Sequence, residues 1–520
     1  MPLGRILTTV LRPFRAVSRA RADLADVAAA ARQARPIQAR YAAAEYSDEM
    51  AMHWGHADAL DADASNSLAV RKRAREHSRL ERANNGYAAG VVRTHANYVV
   101  GRGPSLRMET ANPAFNAMVE ERWRQWAKAV GLGRKLRTAC KAKTGDGEAF
   151  IQIVTNPRVA HKVKLDLRPL ECDQVSSPWV PYQDEGRIDG VRFDQWGNPL
   201  EYEVLRYHPG GLWASRLESR MVPARFMCHW YQEDRPQQHR GVPECISTLP
   251  LCGKGRRYRE AVIAAAETAA DFAAVLEMGA PNNEPDEVRP FSSIPIERRM
   301  MVATPAGAKL AQMRAEQPTT TYEAFSRSIV AEEARPMSMP FSIAGCDSRG
   351  NSFSGTQNDH LIYYQAVDPD RADCEEMALD KIFAVWFEEA AETYGWAVPA
   401  TPAPRHGWNW PPMPQVDAEK AADADKAELG LGVPPSVIAS RRGHDFDDWV
   451  AQGAKDYGIS EAEYRAKIFD SNFAQPGAAA PKDGGNGDAK NNGNGSSASS
   501  NGKTPPSRNG NGQSRFAGSM

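Results

Sequence analysis

The common catalytic signatures are missing from this chain. It holds no H-E-x-x-H, no G-x-S-x-G, no Walker A motif and no G-x-G-x-x-G after a strand. In a chain of 520 residues that lack weighs toward a structural or assembly role, although it does not exclude an enzyme. An excess of charge is missing too. The 64 Lys and Arg stand against 65 Asp and Glu, a formal net charge of −1. Such a chain exerts no global pull on nucleic acid, so any contact comes from local patches or is deliberately weak. Seven cysteines (Cys140, Cys172, Cys228, Cys245, Cys252, Cys346, Cys374) are odd in number and scattered, with no CxxC pair. Neither a zinc site nor a disulfide framework is indicated, and a reducing, cytosolic environment fits best. No run of 18 apolar residues occurs, hence no transmembrane helix. Met1 to Leu11 lacks the apolar h-region and cleavage motif of a signal peptide.

What is present is organised around residues 240–279. Nothing breaks a helix from Lys254 to Met278. Tyr258, Val262, Ala265, Ala269, Phe272 and Leu276 recur at spacings of four and three, which predicts one apolar side. Such a helix would run about 37 Å. Alanines cover much of the remaining surface, as in a helix packed on more than one side or an ordinary Ala-rich core helix. Six prolines follow (Pro281, Pro285, Pro290, Pro295, Pro305, Pro318). They rule out long helix and predict a looped module with short strands around Met300 to Ala303. Helix resumes from Thr320 to Ala334, with Thr320 or Thr321 as N-cap and Glu323 completing a capping box. Pro336 and Pro340 kink or end it.

Upstream, residues 1–40 carry eight arginines against Asp23 and Asp26 and read as a mobile basic arm, with a helix possible over Ala20 to Gln33. A long helix is predicted from Ser65 to Tyr98, with a basic cluster (Arg71, Lys72, Arg73, Arg75, Arg79, Arg82) and a turn or cap signal at Asn84-Asn85-Gly86. Another amphipathic helix spans Ala114 to Val130. From Gly145 to Trp230 the period shifts toward two, predicting strands at Ala149 to Val154, Val163 to Leu167 and Ile188 to Phe193 in an α+β region. Thr144 to Glu148 is expected to be a hairpin turn. Ser342 to Gly355 is a polar, glycine-rich loop. Helices are predicted over Thr356 to Val367, Asp370 to Tyr394, Asp417 to Gly430 and Ser460 to Phe469. From Asn472 the composition collapses to Gly, Asn, Ser and Pro, as expected of a disordered tail.

Possible chemistry is thin. His208, His229 and His239 share a region without ligand spacing. Asp146, Glu148, Glu332 and Glu333 are not paired by any motif. A metal-dependent nuclease using Asp146 and Glu148 is kept as an alternative, as is a different structural protein.

Several weak motifs occur in a specific order. They are Arg82 to Gly103, Gly145 to Phe150, Tyr207-His208-Pro209-Gly210, Val222-Pro223-Ala224 leading to His229, and Arg235 to Pro243. Ser352-Phe353-Ser354-Gly355, Trp410-Pro411-Pro412 to Lys420, and Arg442-Gly443-His444-Asp445 ahead of Trp449 to Gln452 complete the series. In this order the chain resembles the portal proteins of tailed bacteriophages, specifically the lambda-like family, over roughly residues 76–467. Where that family often shows tyrosine-serine-serine, this chain has Asn351-Ser352-Phe353-Ser354.

The resemblance implies an α+β, portal-type multidomain subunit with wing, long stem helices, clip and helical crown, plus a disordered C-terminal tail. The implied layout is a basic N-terminal arm (1–64), wing (65–253), stem helix (254–279), clip (280–318), second stem helix (319–341), tunnel loop (342–356), channel-lining and crown region (357–470) and tail (471–520). It implies a dodecameric homo-oligomeric ring at one capsid vertex, with double-stranded DNA passing through it during packaging and ejection. Implied partners are the terminase large subunit, major capsid and scaffolding proteins and head–tail connector proteins. No membrane and no cofactor are expected, nor catalysis by the chain itself. The implied location is the virion, and the host cytoplasm during assembly. Ser348, Arg349, Asn351 and Ser352 would face DNA, with one Arg349 per subunit producing a basic girdle. Arg289, Arg298 and Arg299 of the clip would face terminase and connector.

Overall fold

A computed structural model describes residues 57–177, 186–212, 218–270, 274–278, 308–312, 321–397, 402–412 and 417–473. The helix expected at Ala20 to Gln33, most of the basic arm, the strands around Met300 to Ala303 and nearly all of the tail lie outside these residues. Contacts divide the chain into two units, 1–418 with 436–449, and 419–435 with 450–520.

After a single helical turn at Ala62–Ser65, the first unit continues with two helices, α1 (Leu68–Asn84) and α2 (Gly86–Val99). The apolar pattern predicts a single helix here. The break comes at Asn85, which is extended and whose side chain accepts from the Tyr87 amide at 3.1 Å. That bond satisfies a donor at the start of α2 and makes the chain restart. Strand β1 (Ser105–Met108) follows, then α3 (Pro113–Val130) and α4 (Leu132–Asp146). Asn112 caps α3 and Pro113 opens it, both favourable there. Trp123 and Trp126 of α3 are buried, and the Trp126 indole donates to the Leu165 carbonyl at 2.8 Å.

Helix α4 runs through Thr144, so the hairpin turn expected at Thr144 to Glu148 is instead a helix-to-strand junction. Gly147 ends the helix at φ 96°, a conformation that favours glycine. A side chain there would also collide with the Val242 and Pro243 backbone.

Strand β2 (Glu148–Thr155) is central to a three-stranded antiparallel sheet with β3 (Leu165–Leu170) and β8 (Met227–Tyr231). A four-stranded sheet joins β4 (Arg187–Ile188), β5 (Val191–Phe193), β6 (Pro199–Leu205) and β7 (Ser219–Pro223) in sequence order. Alternation along β2 serves two cores. Ala149, Ile151 and Ile153 join the large core with Trp123, Trp126 and Leu136, while Phe150 joins Val191, Tyr202, Val204 and Val222. Each fully buried aliphatic side chain of this kind stabilises by about 1.5–3 kcal/mol.

Helix α5 covers Leu249–Ala270, and strand β9 (Ala274–Met278) pairs antiparallel with β10 (Ala308–Gln312). The helix predicted from Lys254 to Met278 therefore starts earlier and stops at Ala270. Helix propensity in Ala274 to Met278 is a weak preference, and a ladder of backbone hydrogen bonds to a distant partner overrides it. Helix α6 (Tyr322–Ala334) agrees with expectation except at its start. Thr321 is helical in conformation and its side chain makes no cap hydrogen bond, so the capping box is not formed. A 3-10 turn at Arg335–Met337, with Pro336 inside it, and the short α7 (Phe341–Ala344), opening after Pro340, follow.

Helices α8 (Phe353–Cys374) and α9 (Asp380–Tyr394) are joined through a π segment at Glu375–Leu379. Residues 353–394 thus form one helical run where the sequence predicts two helices. Pro369 lies inside it. Packing across the helix holds it there: the Arg371 guanidinium donates to the carbonyls of Val99, Tyr98 and Pro411 at 3.0, 2.9 and 3.3 Å. The extended Trp408 segment forms β11 (His406–Asn409), antiparallel to β1.

Further on come α10 (Ala418–Gly430), α11 (Pro435–Arg441), α12 (Phe446–Tyr457) and α13 (Glu461–Phe473). In the second unit the Tyr464 ring of α13 fills the space above Gly453 of α12 and stacks on Tyr457 with centroids 5.8 Å apart. No helix among the described residues is long and apolar enough to cross a membrane.

Candidate functional site

Arg71, Arg75, Arg79 and Arg82 recur on α1 at spacings of four and three, which puts them on one face. That face is turned inward: Arg71 and Arg75 are each 1% exposed. Their partners come from far along the chain. Arg71 meets Asp189 at 2.5 Å, Arg75 meets Asp173 at 2.9 Å, and Arg79 meets Asp146 at 3.0 Å and Asp173 at 2.7 Å. Arg82 also pairs with Asp146. At the centre lies Glu148, fully buried, held by Arg240 through both carboxylate oxygens at 2.7 and 2.8 Å and by His229 at 3.1 Å. Burial alone would raise the Glu148 carboxyl. Arg240 and His229 overcome it and hold the group well below the usual carboxylate range. Burial pushes His229 down to about 4, so it is neutral at neutral pH.

Next to this lattice α5 and α6 pack side by side. Gly255 is the close approach: a Cβ there would lie 3.0 Å from Glu333 Oε1 and from Ile329 Cγ2. Tyr258 of α5 faces Tyr322 and Phe325 of α6 with ring centroids 6.0 and 5.2 Å apart. Arg256 reaches Glu81 at 3.1 Å and Arg259 reaches the Asn85 side chain at 3.1 Å, tying α5 to α1 and the start of α2. Pairing of Met278 with Ala308 brings together the two ends of the proline-rich segment between the helices.

The polar loop lies between α7 and α8. Ser352 caps α8, its hydroxyl accepting from the Gly355 amide at 3.1 Å. Asn351 donates to Asp359 at 3.3 Å, and the Ser348 carbonyl accepts from the Asn351 amide at 3.1 Å. Arg349 is 76% exposed but its fork is engaged. Its Nε and Nη2 donate to Asp347 at 2.9 and 2.8 Å, and Glu323 lies 3.6 Å away. The Arg349 hydrogen bonds hold the Asp347 carboxyl well below its usual range.

A family profile described as phage portal protein, lambda family, matches residues 47–368, more than half of the chain. The chain belongs to the lambda family of phage portal proteins. A curated relative, the "probable portal protein" of Halomonas phage phiHAP-1, is 24% identical over 449 residues, covering 77% of this chain and 83% of that protein. Among solved structures, the chain is similar to one from the virion of a native gene transfer agent particle, with 13% identity, a TM-score of 0.40 and coverage of 71% of this chain and 93% of that one. It is also similar to one from the neck of the native particle computed with C12 symmetry, with 13% identity, a TM-score of 0.40 and coverage of 70% and 92%.

The structure places several residues that the sequence singles out in this portal protein. Asp146 and Glu148 do not form an open metal-binding pair, because both are bound to arginines and Glu148 is fully buried. His208, His229 and His239 are not brought together. Each meets its own carboxylate: Glu171 at 3.2 Å, Glu148 at 3.1 Å and Asp63 at 2.7 Å. Two described clusters have ligand-type atoms close together, His95 with Glu244 and Asp370, and Glu171 with Asp173 and His208. A side-chain cation already serves each. Lys143 contacts Glu244 at 2.7 Å and Asp370 at 2.5 Å, and Arg79 contacts Asp173 at 2.7 Å and Glu171 at 3.4 Å. The basic girdle expected of Arg349 is not free charge, since Asp347 and Glu323 face it. Arg289, Arg298 and Arg299 lie outside the described residues. Of the buried lattice, the sequence singled out the basic cluster on α1, Asp146, Glu148 and His229, but not their pairing with one another or with Asp173 and Asp189.

Proposed function

We propose that this portal protein is the subunit of a dodecameric ring at one capsid vertex, through which double-stranded DNA enters during packaging and leaves during ejection. Residues 65–253 serve as wing, α5 from Lys254 onward and α6 as stem, residues 280–318 as clip, the loop at 342–356 as tunnel loop, and residues 357–470 as channel-lining and crown helices. The clip, with Arg289, Arg298 and Arg299, docks the terminase large subunit and later the head–tail connector proteins. Capsid and scaffolding proteins contact the ring during assembly in the host cytoplasm. The chain carries no catalysis of its own.

The observation that carries this layout is the sequence of α5, the β9–β10 pair and α6. Two helices in contact, with β9 and β10 paired between them in the chain, support reading the intervening segment as the clip. Ser348, Arg349, Asn351 and Ser352, in the next loop, are the residues offered to DNA. The near-zero net charge suits a conduit, because strong counterion-releasing contacts would hinder sliding. Deleting residues 280–307 with a short Gly-Ser replacement tests the clip assignment. The expected result is a ring that forms but no longer retains terminase in pull-down. Unchanged retention would contradict it.

A further inference from the structure

We propose that the loop between α7 and α8 carries its own counter-anions, Asp347 and Glu323, so that duplex DNA engages Arg349 only by displacing an intramolecular ion pair. The inference rests on the loop facing DNA, as proposed above.

Three carboxylates (Glu323, Asp347, Asp359) and two guanidiniums (Arg327, Arg349) meet around this loop, so it presents no net positive charge. Asp347 is bound three times by Arg349, through the backbone amide at 3.0 Å and the guanidinium at 2.9 and 2.8 Å. A bidentate carboxylate holds the planar fork in the geometry that a phosphate would use. Glu323, one turn before Arg327 on α6, lies 3.6 Å from the same guanidinium. Gly350, at φ 81° and with open space around it, completes the turn.

Arg327 anchors the arrangement. Its guanidinium lies over the Phe341 ring at 4.6 Å and donates to the Arg349 carbonyl at 3.1 Å. The loop is thereby tied to α6, while Asn351 and Ser342 tie it to Asp359 of α8 at 3.3 and 2.6 Å. The exposed Arg349–Glu323 contact is weak, whereas the bidentate pair with the less exposed Asp347 is the stronger, so a passing phosphodiester exchanges with these anions and is released when they re-form. An arginine free of such a partner would release counterions on every contact, and a ring would multiply that term.

The test compares the full-length protein with Glu323→Gln/Asp347→Asn, with Glu323→Gln alone, and with each combined with Arg349→Gln. A fluorescent linear duplex is titrated across a salt series. The expected result is severalfold tighter binding by the double variant and a smaller gain for Glu323→Gln. The salt slope should steepen by about 0.9 for each phosphate newly contacted. The added Arg349→Gln change should abolish the gain. Affinity equal to the parent's in the double variant overturns the proposal. So does a gain that survives Arg349→Gln, which would reflect general loss of negative charge. These comparisons hold for ring or free subunit alike, whereas the portal reading is judged by imaging of the ring, so the two fail separately.

Discussion

Glu148 sits at the centre of the buried arginine lattice, bound by Arg240 and His229. Both its oxygens are committed to Arg240 with no exposure to water. Removing one partner leaves a buried charge alone, a loss of about 3–5 kcal/mol. Glu148→Gln or Arg240→Ala is therefore expected to unfold at markedly lower urea, read by fluorescence of the buried tryptophans. His229 adds a pH dependence. Its folded-state value of about 4 lies below the ordinary value of about 6.5, so the unfolded chain takes up the proton first. Stability present near neutral pH is lost as pH falls from about 6.5 to 4. Denaturation series across that window should show the decline, and His229→Gln should flatten it. The arginine side of this lattice was legible, since Arg71, Arg75, Arg79 and Arg82 keep helical spacing. Their pairing was not: Asp146 and Glu148 stand out as carboxylates, yet they, Asp173 and Asp189 lie on other segments and only the fold brings them near.

At the scale of elements, Gly255 permits the approach of α5 to α6. A larger side chain meets Ile329 and Glu333, so Gly255→Val is expected to destabilise by about 1–3 kcal/mol. A calorimetric Tm unchanged from the parent would contradict the close packing. Helices α3, α6 and α13, and the strands β2 and β3, were readable from periodicity to within a few residues. Two features were hidden for one reason. The β9 strand reads locally as helix and becomes a strand only through β10, about thirty positions later. Likewise Pro369 reads as a helix break, yet tertiary contacts made by Arg371 carry the helix through it. Local propensity at β9 is a weak preference, whereas proline in a helix interior costs about 3 kcal/mol, which the tertiary contacts of Arg371 offset.

At the scale of the molecule, an α+β region, a helix pair and a polar loop follow one another along the chain, the order on which the proposed layout of the portal subunit rests. The loop at 345–352 matters here through its charge balance rather than through a basic patch. Packaging assays should therefore show that Arg349→Ala alone has a small effect. The loss of both acids, Glu323→Gln/Asp347→Asn, should slow translocation. Equal packaging rates for the double variant and parent would contradict the charge-balance account. The most direct test of the central claim is negative-stain imaging of the purified protein together with its native mass. The account predicts a closed ring of twelve subunits with a central hole and a narrow protruding end. A stable monomer that cuts duplex DNA when a divalent metal is added would contradict it.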